Sequence, residues 1–430
     1  AILSSSRTAG ARTYGSNWFF RLHMKMLGLI NDSPSFTPEA RARIYKGFVL
    51  PYATELMKFR GGISNMTDIT DTNLLTMGLV FNDANLVQFA LNSDPGLISR
   101  LSDIDEDGFS SEGRPPNYHT AAMDEYLPAM AILHNSGLNV KYPRERLLAA
   151  VRMLYERATL WDMIPSTGDC ARGGGVVANS AQAEQLLPVF PDQPWLLDIG
   201  KNTTLISKVQ RLAQGKTYNK EGFRQLLSSK PRLFKTAGLA ILRSGETPET
   251  QIMATLDYGR NPMHAHLDRN QITLSAFGKM FTHGPGTVYN VGSGGITRST
   301  DPKLNSFCGA GSLGQNVILV DQVNQLRAIG KLVAWSDKPD NQFVTARVNG
   351  IAPGVDHTRT LALRDGLVIV IDRVESADEH TYDFVYHNLG TLTPGPGWQS
   401  APLSAPLGKT ANYENLIDPA QLTGSGPVRL

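Results

Sequence analysis

The sequence predicts an α+β protein in which a helical half precedes a half built from antiparallel sheet. Apolar residues recur at helical spacing up to about residue 225, and after Pro231 the period changes to two. The turns between the later segments contain Gly, Asp, Asn or Pro, which is typical of antiparallel strands and not of βαβ units. We therefore expect a helical domain at residues 1–230 and a sheet domain at residues 231–430.

Composition places the chain among ordinary globular proteins and excludes several functions. It has 430 residues, of which 41% are hydrophobic and 19% charged, so a large core can form. The net charge of +2 implies no general affinity for nucleic acid or for an anionic membrane. No apolar run reaches the roughly 20 residues that a membrane helix needs.

The first residues and the cysteines bear on the compartment. The chain opens AILSSSRTAG, without Met and without a basic stretch followed by an apolar run. We therefore expect a processed or trimmed start, and a periplasmic or secreted location is a separate expectation. Cys170 and Cys308 are the two cysteines, too few for a disulfide framework, and each is expected to be a small buried or loop residue.

Helix signals are clear at several places in the first half. Thr37 followed by Pro38 is typical of an N-cap and first helical residue, and the helix after them should run on until Pro51 kinks or ends it. Further predicted helices lie at 74–81, 86–91, 122–133, 142–161, 181–187 and 203–212.

The second half contains nine segments with the alternation and composition of strands. They lie at 233–242, 251–256, 271–277, 317–320, 326–335, 343–348, 359–363, 367–374 and 382–386. The tail from residue 395 is rich in Pro, Gly and Ser and should wrap the surface.

Residues 263–286, MHAHLDRNQITLSAFGKMFTHGPG, carry the strongest chemical signal. On extended backbone, side chains at i and i+2 share a face, so His264, His266 and Asp268 are expected to project together at a strand end. Such a row suits proton transfer or metal binding. It also suits a polar strand end whose histidines only form hydrogen bonds.

The same stretch resembles a known family. A His-x-His-x-Asp followed by a strand, a Gly turn and a Pro-Gly corner is similar to the β-domain of the heparinase II/III and alginate-lyase superfamily of polysaccharide lyases. NVILVDQVNQ at 316–325 and DFVYHNLG at 383–390 are similar to later strands of that domain. The resemblance implies an incomplete α/α toroid followed by an antiparallel β-sandwich.

A second motif lies in the helical half. DGFSSEGRPPNYH at 107–119 resembles the family's DG-x-x-x-EGS-x-x-YH motif, with Arg114 in place of the Ser. The motif ends in Tyr118 and His119, and Glu112 keeps its acidic position. Upstream, Asn65 resembles the Asn that these lyases present to substrate, although Met66 stands where many alginate-specific members have His.

The resemblance implies β-elimination from a 4-linked uronic acid, with alginate slightly favoured because the net charge is near zero. Asn65 would bind the carboxylate, with His264 or Arg60 as helper. Tyr118 would be the acid and also a candidate base, with His264 as the alternative base and Tyr289 as a second phenol. Substrate-binding residues are expected to be Arg60, Glu112, His119 and Arg269. The expected partner is an anionic polysaccharide.

The chemistry requires no cofactor, but the resemblance raises the question of a structural zinc ion. The family's ligand positions correspond to His266, His283 and Gln315, and Gln is a poor zinc ligand. Either a zinc ion is held here, with His266 and His283 as ligands, or His283 and Gln315 form a hydrogen-bonded pair.

Two functions of other classes stay open. A glycoside hydrolase on a similar helical scaffold would need two carboxylates, and Glu112 with Asp268 is the pair available. A carbohydrate-binding protein without catalysis would keep the fold and need neither. The sequence contains no GxSxG, and Gly173, Gly174 and Gly175 lack the Lys-Ser/Thr of a phosphate loop.

Overall fold

The protein is described here by a computed structural model. The described residues are 26–27, 30, 33–58, 64–113, 115–170, 175–176, 187, 189–193, 195–196, 228–259, 263–264, 266–282, 284, 286, 289–292, 295–298, 311–390, 397–404, 407–408, 411, 413–416 and 419–424. Contacts between residues divide the chain into two compact units. A helical unit comprises Ala1–Gly113, Tyr118–Val151 and Asn179–Tyr218, and a β unit comprises Arg114–Asn117, Arg152–Ala178 and Asn219–Leu430.

The α-helices whose bounds the structure gives lie before residue 160, in the half that the sequence predicts to be helical, and two short 3-10 helices lie at Ser312–Gly314 and Tyr413–Asn415. They are α1 (Pro38–Ile44), α2 (Leu50–Lys58), α3 (Asn65–Phe81), α4 (Ala84–Asn92), α5 (Leu97–Asp103), α6 (Pro116–Asn135) and α7 (Arg144–Arg157). The predicted helices at 74–81, 86–91 and 122–133 lie inside α3, α4 and α6, and the segment 142–161 contains α7. The predictions at 203–212 and, apart from residue 187, at 181–187 lie outside the described residues.

The start of α1 follows the sequence closely. The Thr37 hydroxyl accepts a hydrogen bond from the Ala40 amide at 3.2 Å, and Pro38 takes the first helical position, where no amide hydrogen is needed. A π-helical turn, Tyr45–Val49, joins α1 to α2, so Pro51 does not end the helix. Because the Pro51 ring would clash with the carbonyl four residues earlier in a regular α-helix, we attribute the wider turn to this proline.

The β unit is built from antiparallel pairs throughout its described part. Its strands are β1 (Met163–Ile164), β2 (Gly175–Val176), β3 (Arg232–Phe234), β4 (Leu239–Ser244), β5 (Ile252–Asp257), β6 (Gln271–Ala276), β7 (Lys279–Thr282), β8 (Tyr289–Gly292), β9 (Gly295–Arg298), β10 (Ile318–Val320), β11 (Gly330–Lys338), β12 (Asn341–Ala352), β13 (Val355–Arg364), β14 (Leu367–Glu375), β15 (Tyr382–Phe384), β16 (Trp398–Pro402) and β17 (Ala420–Gly424). The prediction of mixed helices and antiparallel sheet is thereby confirmed.

Two sheets dominate the β unit and share a core. Strands β3 to β7 form a five-stranded sheet and β11 to β14 a four-stranded sheet, each in sequence order. Buried side chains from β4, β5 and β6 form one cluster with Val344, Ala346, Leu361 and Leu363 of the second sheet. In β12 and β13 buried and half-buried residues alternate, as expected for strands with one face on a core.

One predicted strand is two strands in the structure. The segment 233–242 contains a turn, because β3 ends at Phe234 and β4 begins at Leu239. Gly238 in that turn has φ +71°, and a Cβ there would lie 2.2 Å from the Cα of Gly259. Only glycine meets both requirements, so the chain reverses at this point. The prediction of one strand overlooked the break in the apolar pattern at Lys235, Thr236 and Gly238.

Candidate active site

The loop that carries the two predicted histidines is not a strand. Residues 263–270 precede β6, which begins at Gln271. His264 and Asn270 both adopt the left-handed conformation, with φ +56° and +58°. Left-handed residues interrupt the alternation of an extended chain, so the predicted common strand face is wrong for this stretch.

Asp169 nevertheless brings the two histidines together. Its Oδ2 lies 3.1 Å from His264 Nδ1, and its Oδ1 lies 3.1 Å from His266 Nε2. The Asp169 side chain is 10% exposed, compared with 19% for His264 and 1% for His266. One carboxylate therefore receives a histidine on each oxygen.

The backbone around Asp169 fixes this arrangement. The Asp169 amide donates to the His264 carbonyl at 3.0 Å. The preceding Gly168 has φ +58°, and a Cβ there would lie 2.4 Å from the same carbonyl oxygen. The close approach of the two loops thus requires glycine at this position.

A line of amides extends the network beyond His266. Gln315 Nε2 donates to His266 Nδ1 at 2.9 Å. The Gln271 amide, in the orientation that satisfies both of its ends, donates to Gln315 Oε1 at 2.9 Å and to Asp268 Oδ2 at 3.0 Å. Because Nδ1 of His266 accepts, its proton lies on Nε2 and is donated to Asp169. These two partners thereby hold the His266 ring in one orientation and one tautomer.

These bonds bear on the expected zinc ion. Zinc needs a lone pair on an imidazole nitrogen, and both nitrogens of His266 are used in hydrogen bonds. A zinc ion would have to displace Gln315 or Asp169. His283 lies outside the described residues, and among those described no three His, Cys, Asp or Glu side chains are grouped as ligands. The zinc ion stays a prediction.

His264 has the environment of a proton acceptor. Its Nδ1 donates to the Asp169 carboxylate, which puts the lone pair on Nε2. When Nε2 gains a proton, the carboxylate at Nδ1 stabilises the resulting imidazolium. The geometry supports a histidine that can accept and return one proton.

Arg269 and Asp268 lie inside the loop. Arg269 is 4% exposed and donates to Asp268 Oδ1 at 3.1 Å and to the Ala328 carbonyl at 2.6 Å. Gln325 accepts from the Arg269 amide at 2.7 Å and donates to its carbonyl at 3.3 Å. Both charged side chains therefore order the loop in this structure.

In the helical unit, Asn65 is the first residue of α3 and is half-buried. Its backbone amide donates to Glu112 Oε2 at 2.8 Å, and the N-cap residue is Ser64. Asn65 is thus not the cap, which removes the simplest structural reason for an asparagine here. Glu112 is 2% exposed and accepts at the helix N-terminus, where a carboxylate is favoured by the helix dipole.

Tyr118 and His119 lie in the first turn of α6. Tyr118 is half-buried, whereas His119 is fully buried and its Nε2 donates to the Ala150 carbonyl of α7 at 2.7 Å. A Cβ on Gly113 would lie 3.0 Å from His119 Nδ1. His119 therefore joins two helices, and Tyr118 is the more accessible of the pair.

A buried ionic cluster near Glu112 was not predicted. Arg100 donates through Nε and NH2 to both oxygens of Asp68, and NH2 lies 3.3 Å from Tyr126 Oη. Burial raises the pKa of Asp68 to about 6, although Arg100 opposes the shift and Glu112 adds to it. Sequence patterns gave no sign of this cluster, because its members come from three helices.

Other predicted residues have less structural description. Arg60 and His283 lie outside the described residues. Tyr289 begins β8, and its backbone pairs with Arg298 of β9, but the description of that residue stops at the backbone. Their assigned roles remain predictions.

Comparisons with known proteins agree with the resemblance in the sequence. Residues 227–410 match the family described as Heparinase II/III-like, C-terminal. No curated protein matches the sequence. A crystal structure of heparinase III is similar with a TM-score of 0.67 and 19% identity, covering 94% of this chain and 62% of the other. Heparan sulfate lyase HepC from Pedobacter heparinus is similar with a TM-score of 0.58 and 19% identity, covering 80% and 51%.

The likenesses to solved structures show the fold, and the chain spans less than two thirds of the length of those proteins. The family match covers the five-stranded and four-stranded sheets and the loop with His264 and His266. Residues 227–410 are therefore similar to the C-terminal domain of heparinase II/III-like proteins.

Proposed function

We propose that the protein is a polysaccharide lyase that cleaves a chain containing 4-linked uronic acid by β-elimination. The observation that carries the proposal is the His264–Asp169 pair, with 3.1 Å between Nδ1 and Oδ2. Its histidine lies in the segment that matches the heparinase II/III-like family. The structural likeness to heparinase III and to a heparan sulfate lyase supports the same reaction class.

The proposed substrate is a heparan-type polysaccharide. The preference for alginate, taken from the near-zero net charge, finds no support, because the similar solved structures are a heparinase and a heparan sulfate lyase. Net charge was a poor guide because binding an anionic sugar depends on a few local cations, which the sum over 430 residues conceals.

In the proposed reaction His264 is the base. Its Nε2 takes the proton from C5 of the uronate while Asp169 stabilises the imidazolium. The electron pair of the broken C5–H bond forms the C4=C5 double bond, and the C4–O4 bond breaks with its electrons going to O4. The products are an unsaturated uronate at the new non-reducing end and, once O4 is protonated, a new reducing end on the sugar that keeps O4.

Two residues of the helical unit keep the roles that the family resemblance implies for them. Tyr118 donates the proton that O4 needs, since a neutral phenol is the protonated form at neutral pH. Asn65 donates a hydrogen bond to the uronate carboxylate, which lets negative charge move onto that carboxylate in the enolate-like intermediate.

Arg60 and Tyr289 keep their proposed roles, Arg60 as a helper of Asn65 and Tyr289 as a second phenol. Glu112, His119 and Arg269 are reassigned from substrate contact to support, because all three are buried and bonded to protein groups.

The finer features of the proposal concern fold and location. The shared core of the two large sheets favours a β-sandwich, and the run of helices favours the incomplete α/α toroid of the resembled family. No described helix has the length and apolarity needed to span a membrane. The proposed location is periplasmic or secreted. The proposed binding partner is an anionic polysaccharide.

A glycoside hydrolase is disfavoured by the same contacts. Glu112 and Asp268, the available carboxylate pair, are 2% and 1% exposed, and each accepts hydrogen bonds from protein groups. An inverting or retaining hydrolase needs both carboxyl groups on the sugar.

The test is ultraviolet absorbance of unsaturated uronate during incubation with heparan sulfate, heparin, alginate, hyaluronan, chondroitin and ulvan. We expect a rise with heparan sulfate that is lost in Tyr118→Phe and in His264→Ala. His380→Gln is the matched control, because His380 pairs with Asp321 at 2.7 Å on the surface with a similar exposed fraction, 17%. New reducing ends without absorbance, lost in Glu112→Gln, would replace the lyase by the hydrolase. If neither unsaturated uronate nor new reducing ends form, the remaining function is that of a carbohydrate-binding protein.

A further inference from the structure

A second polar cluster lies behind the loop at 263–270. Arg359 and His357 of β13 are fully buried, and both contact Asp372 on the neighbouring strand β14. Arg359 donates to Asp372 through Nε at 2.7 Å and NH2 at 3.0 Å, and His357 Nε2 donates to Asp372 Oδ1 at 2.7 Å. One edge of the guanidinium is thus held in a two-bond contact with a carboxylate.

The other edge of Arg359 reaches two separate segments of the candidate site. NH1 donates to the Asn270 carbonyl at 2.6 Å and to the Asn316 carbonyl at 3.0 Å. Asn270 ends the loop that carries His264 and His266. Asn316 follows Gln315, the residue whose amide donates to His266. A single nitrogen therefore joins the two segments whose side chains meet at His266.

The ends of both segments are held further by the same group of residues. Asn270 Nδ2 lies 3.3 Å from His357 Nδ1, and Asn270 has the left-handed φ that needs outside support. Asn316 Nδ2 donates to the Ile272 carbonyl at 3.0 Å, which ties residue 316 to the start of β6. Buried hydrogen bonds thereby set the distance between the loop at 263–270 and the segment that carries the side-chain amide of Gln315.

We propose that Arg359, held by Asp372 and His357, is a positioning residue for the candidate active site. It fixes the separation of residues 270 and 316 and, through them, the Gln315–His266 bond that orients Asp169 toward His264. Arg359 itself touches no reacting atom. Only a planar fork can bind a carboxylate on one edge and two carbonyls on the other, so lysine is no substitute.

The readout that does not depend on catalysis is the ¹⁵N spectrum of the histidine rings. The chain has nine histidines, so His266 can be assigned by its disappearance in His266→Gln. When one tautomer is fixed, the ¹⁵N chemical shifts of the two ring nitrogens differ widely. Exchange between tautomers averages the two shifts toward a common value. We expect the two His266 ¹⁵N chemical shifts to be widely separated in the unaltered protein and closer together in Arg359→Lys.

The second readout rests on the proposed function and uses heparan sulfate. We expect kcat of Arg359→Lys to fall roughly 10- to 100-fold with a much smaller change in KM, because the reacting groups and not the substrate contacts are displaced. Arg243→Lys is the matched control. Arg243 is equally buried and donates to the carbonyls of Glu156, Ala158 and Lys230, and it belongs to another part of the β unit.

The outcomes separate the two proposals. Unchanged His266 signals in Arg359→Lys would overturn the positioning role whatever the activity, and so would equal losses of kcat in Arg359→Lys and Arg243→Lys. Narrowed His266 signals in a protein that cleaves no polymer would uphold positioning and refute the lyase. If Arg359→Lys does not fold, Asp372→Asn keeps the side-chain volume and removes the charge, and the same two results are expected of it.

Discussion

Two histidine–aspartate pairs of the β unit, His264–Asp169 and His357–Asp372, have different surroundings. His264 is 19% exposed and shares Asp169 with a second histidine, whereas His357 is fully buried and shares Asp372 with an arginine. In the first pair the carboxylate is surrounded by groups that can exchange a proton. In the second pair a permanent cation lies beside it. Exposure and the third partner, not the pair itself, decide whether such a pair moves protons or holds structure.

The largest expected effect is on activity at the exposed pair. We expect Asp169→Asn to lower kcat/KM by about 10²- to 10⁴-fold, because an amide cannot stabilise the His264 imidazolium. Its folding midpoint should change little beside that loss. The assay is formation of unsaturated uronate, with thermal unfolding recorded on the same samples. If the activity falls only by the fraction of the protein that is unfolded, the proposed catalytic role of this pair is contradicted.

A substitution in the buried pair, His357 and Asp372, should change the free energy of unfolding. We expect His357→Leu to lower the free energy of unfolding by about 1–3 kcal/mol, because Asp372 loses a buried donor. Urea denaturation followed by circular dichroism measures it. A change within about 0.5 kcal/mol, the usual range for surface substitutions, would show that the bond to Asp372 contributes nothing.

The buried pair also predicts a pH dependence. Burial lowers the pKa of His357 below its usual value of 6.5, although Asp372 opposes the shift. The pKa of Asp372 is lowered as well, because hydrogen bonds from His357 and Arg359 outweigh the effect of burial. For both groups the unfolded chain takes up its proton at a higher pH than the folded protein. Stability is therefore lost as the pH falls, for His357 from about 6.5 downward.

The measurement is the urea midpoint between pH 5 and pH 8 in the unaltered protein and in His357→Leu. Asp68 acts with the opposite sign, since its pKa is raised to about 6 and protonation favours the folded state as the pH falls. Only the difference between the two proteins isolates His357. We expect that difference to shrink toward pH 5. A constant difference would contradict the assignment.

The smallest expected effect is at a third pair on the surface. His380 and Asp321 are 2.7 Å apart, and the Asp321 side chain is 47% exposed. Exposed ion pairs contribute about 0–1 kcal/mol, so His380→Gln should change stability by less than that and leave activity unaltered. A large loss of activity in this variant would remove the distinction between the pairs.

Local sequence predicted most of the described helices and strands and singled out His264 and His266, whose catalytic and metal-binding roles stay predictions. It could not give Asp169, which lies 95 positions before His264 in a loop that reads only as a Gly- and Asp-rich joint. Periodicity reports which residues share an element, and the two histidines instead converge through a loop with left-handed residues. Gln315 was expected beside a zinc ion or in a hydrogen-bonded pair with His283, which lies outside the described residues. Its bond to His266 was not predicted.

The buried network behind the loop was missed for the same reason. Arg359 alternates with Leu361 and Leu363 on the core face of β13, where the pattern predicts an apolar residue. Its partners come from β14, from residue 270 and from residue 316, so no window of sequence contains them. A charged residue at a core-facing position of a strand was the available signal.

Chemical rescue of His264→Ala tests most directly whether the exposed pair transfers the proton. The rate of unsaturated uronate formation from heparan sulfate would be measured with and without added imidazole. We expect the variant to be inactive alone and to recover part of its rate with imidazole, whereas Tyr118→Phe does not recover. A His264→Ala protein that cleaves heparan sulfate as fast as His380→Gln would contradict the account.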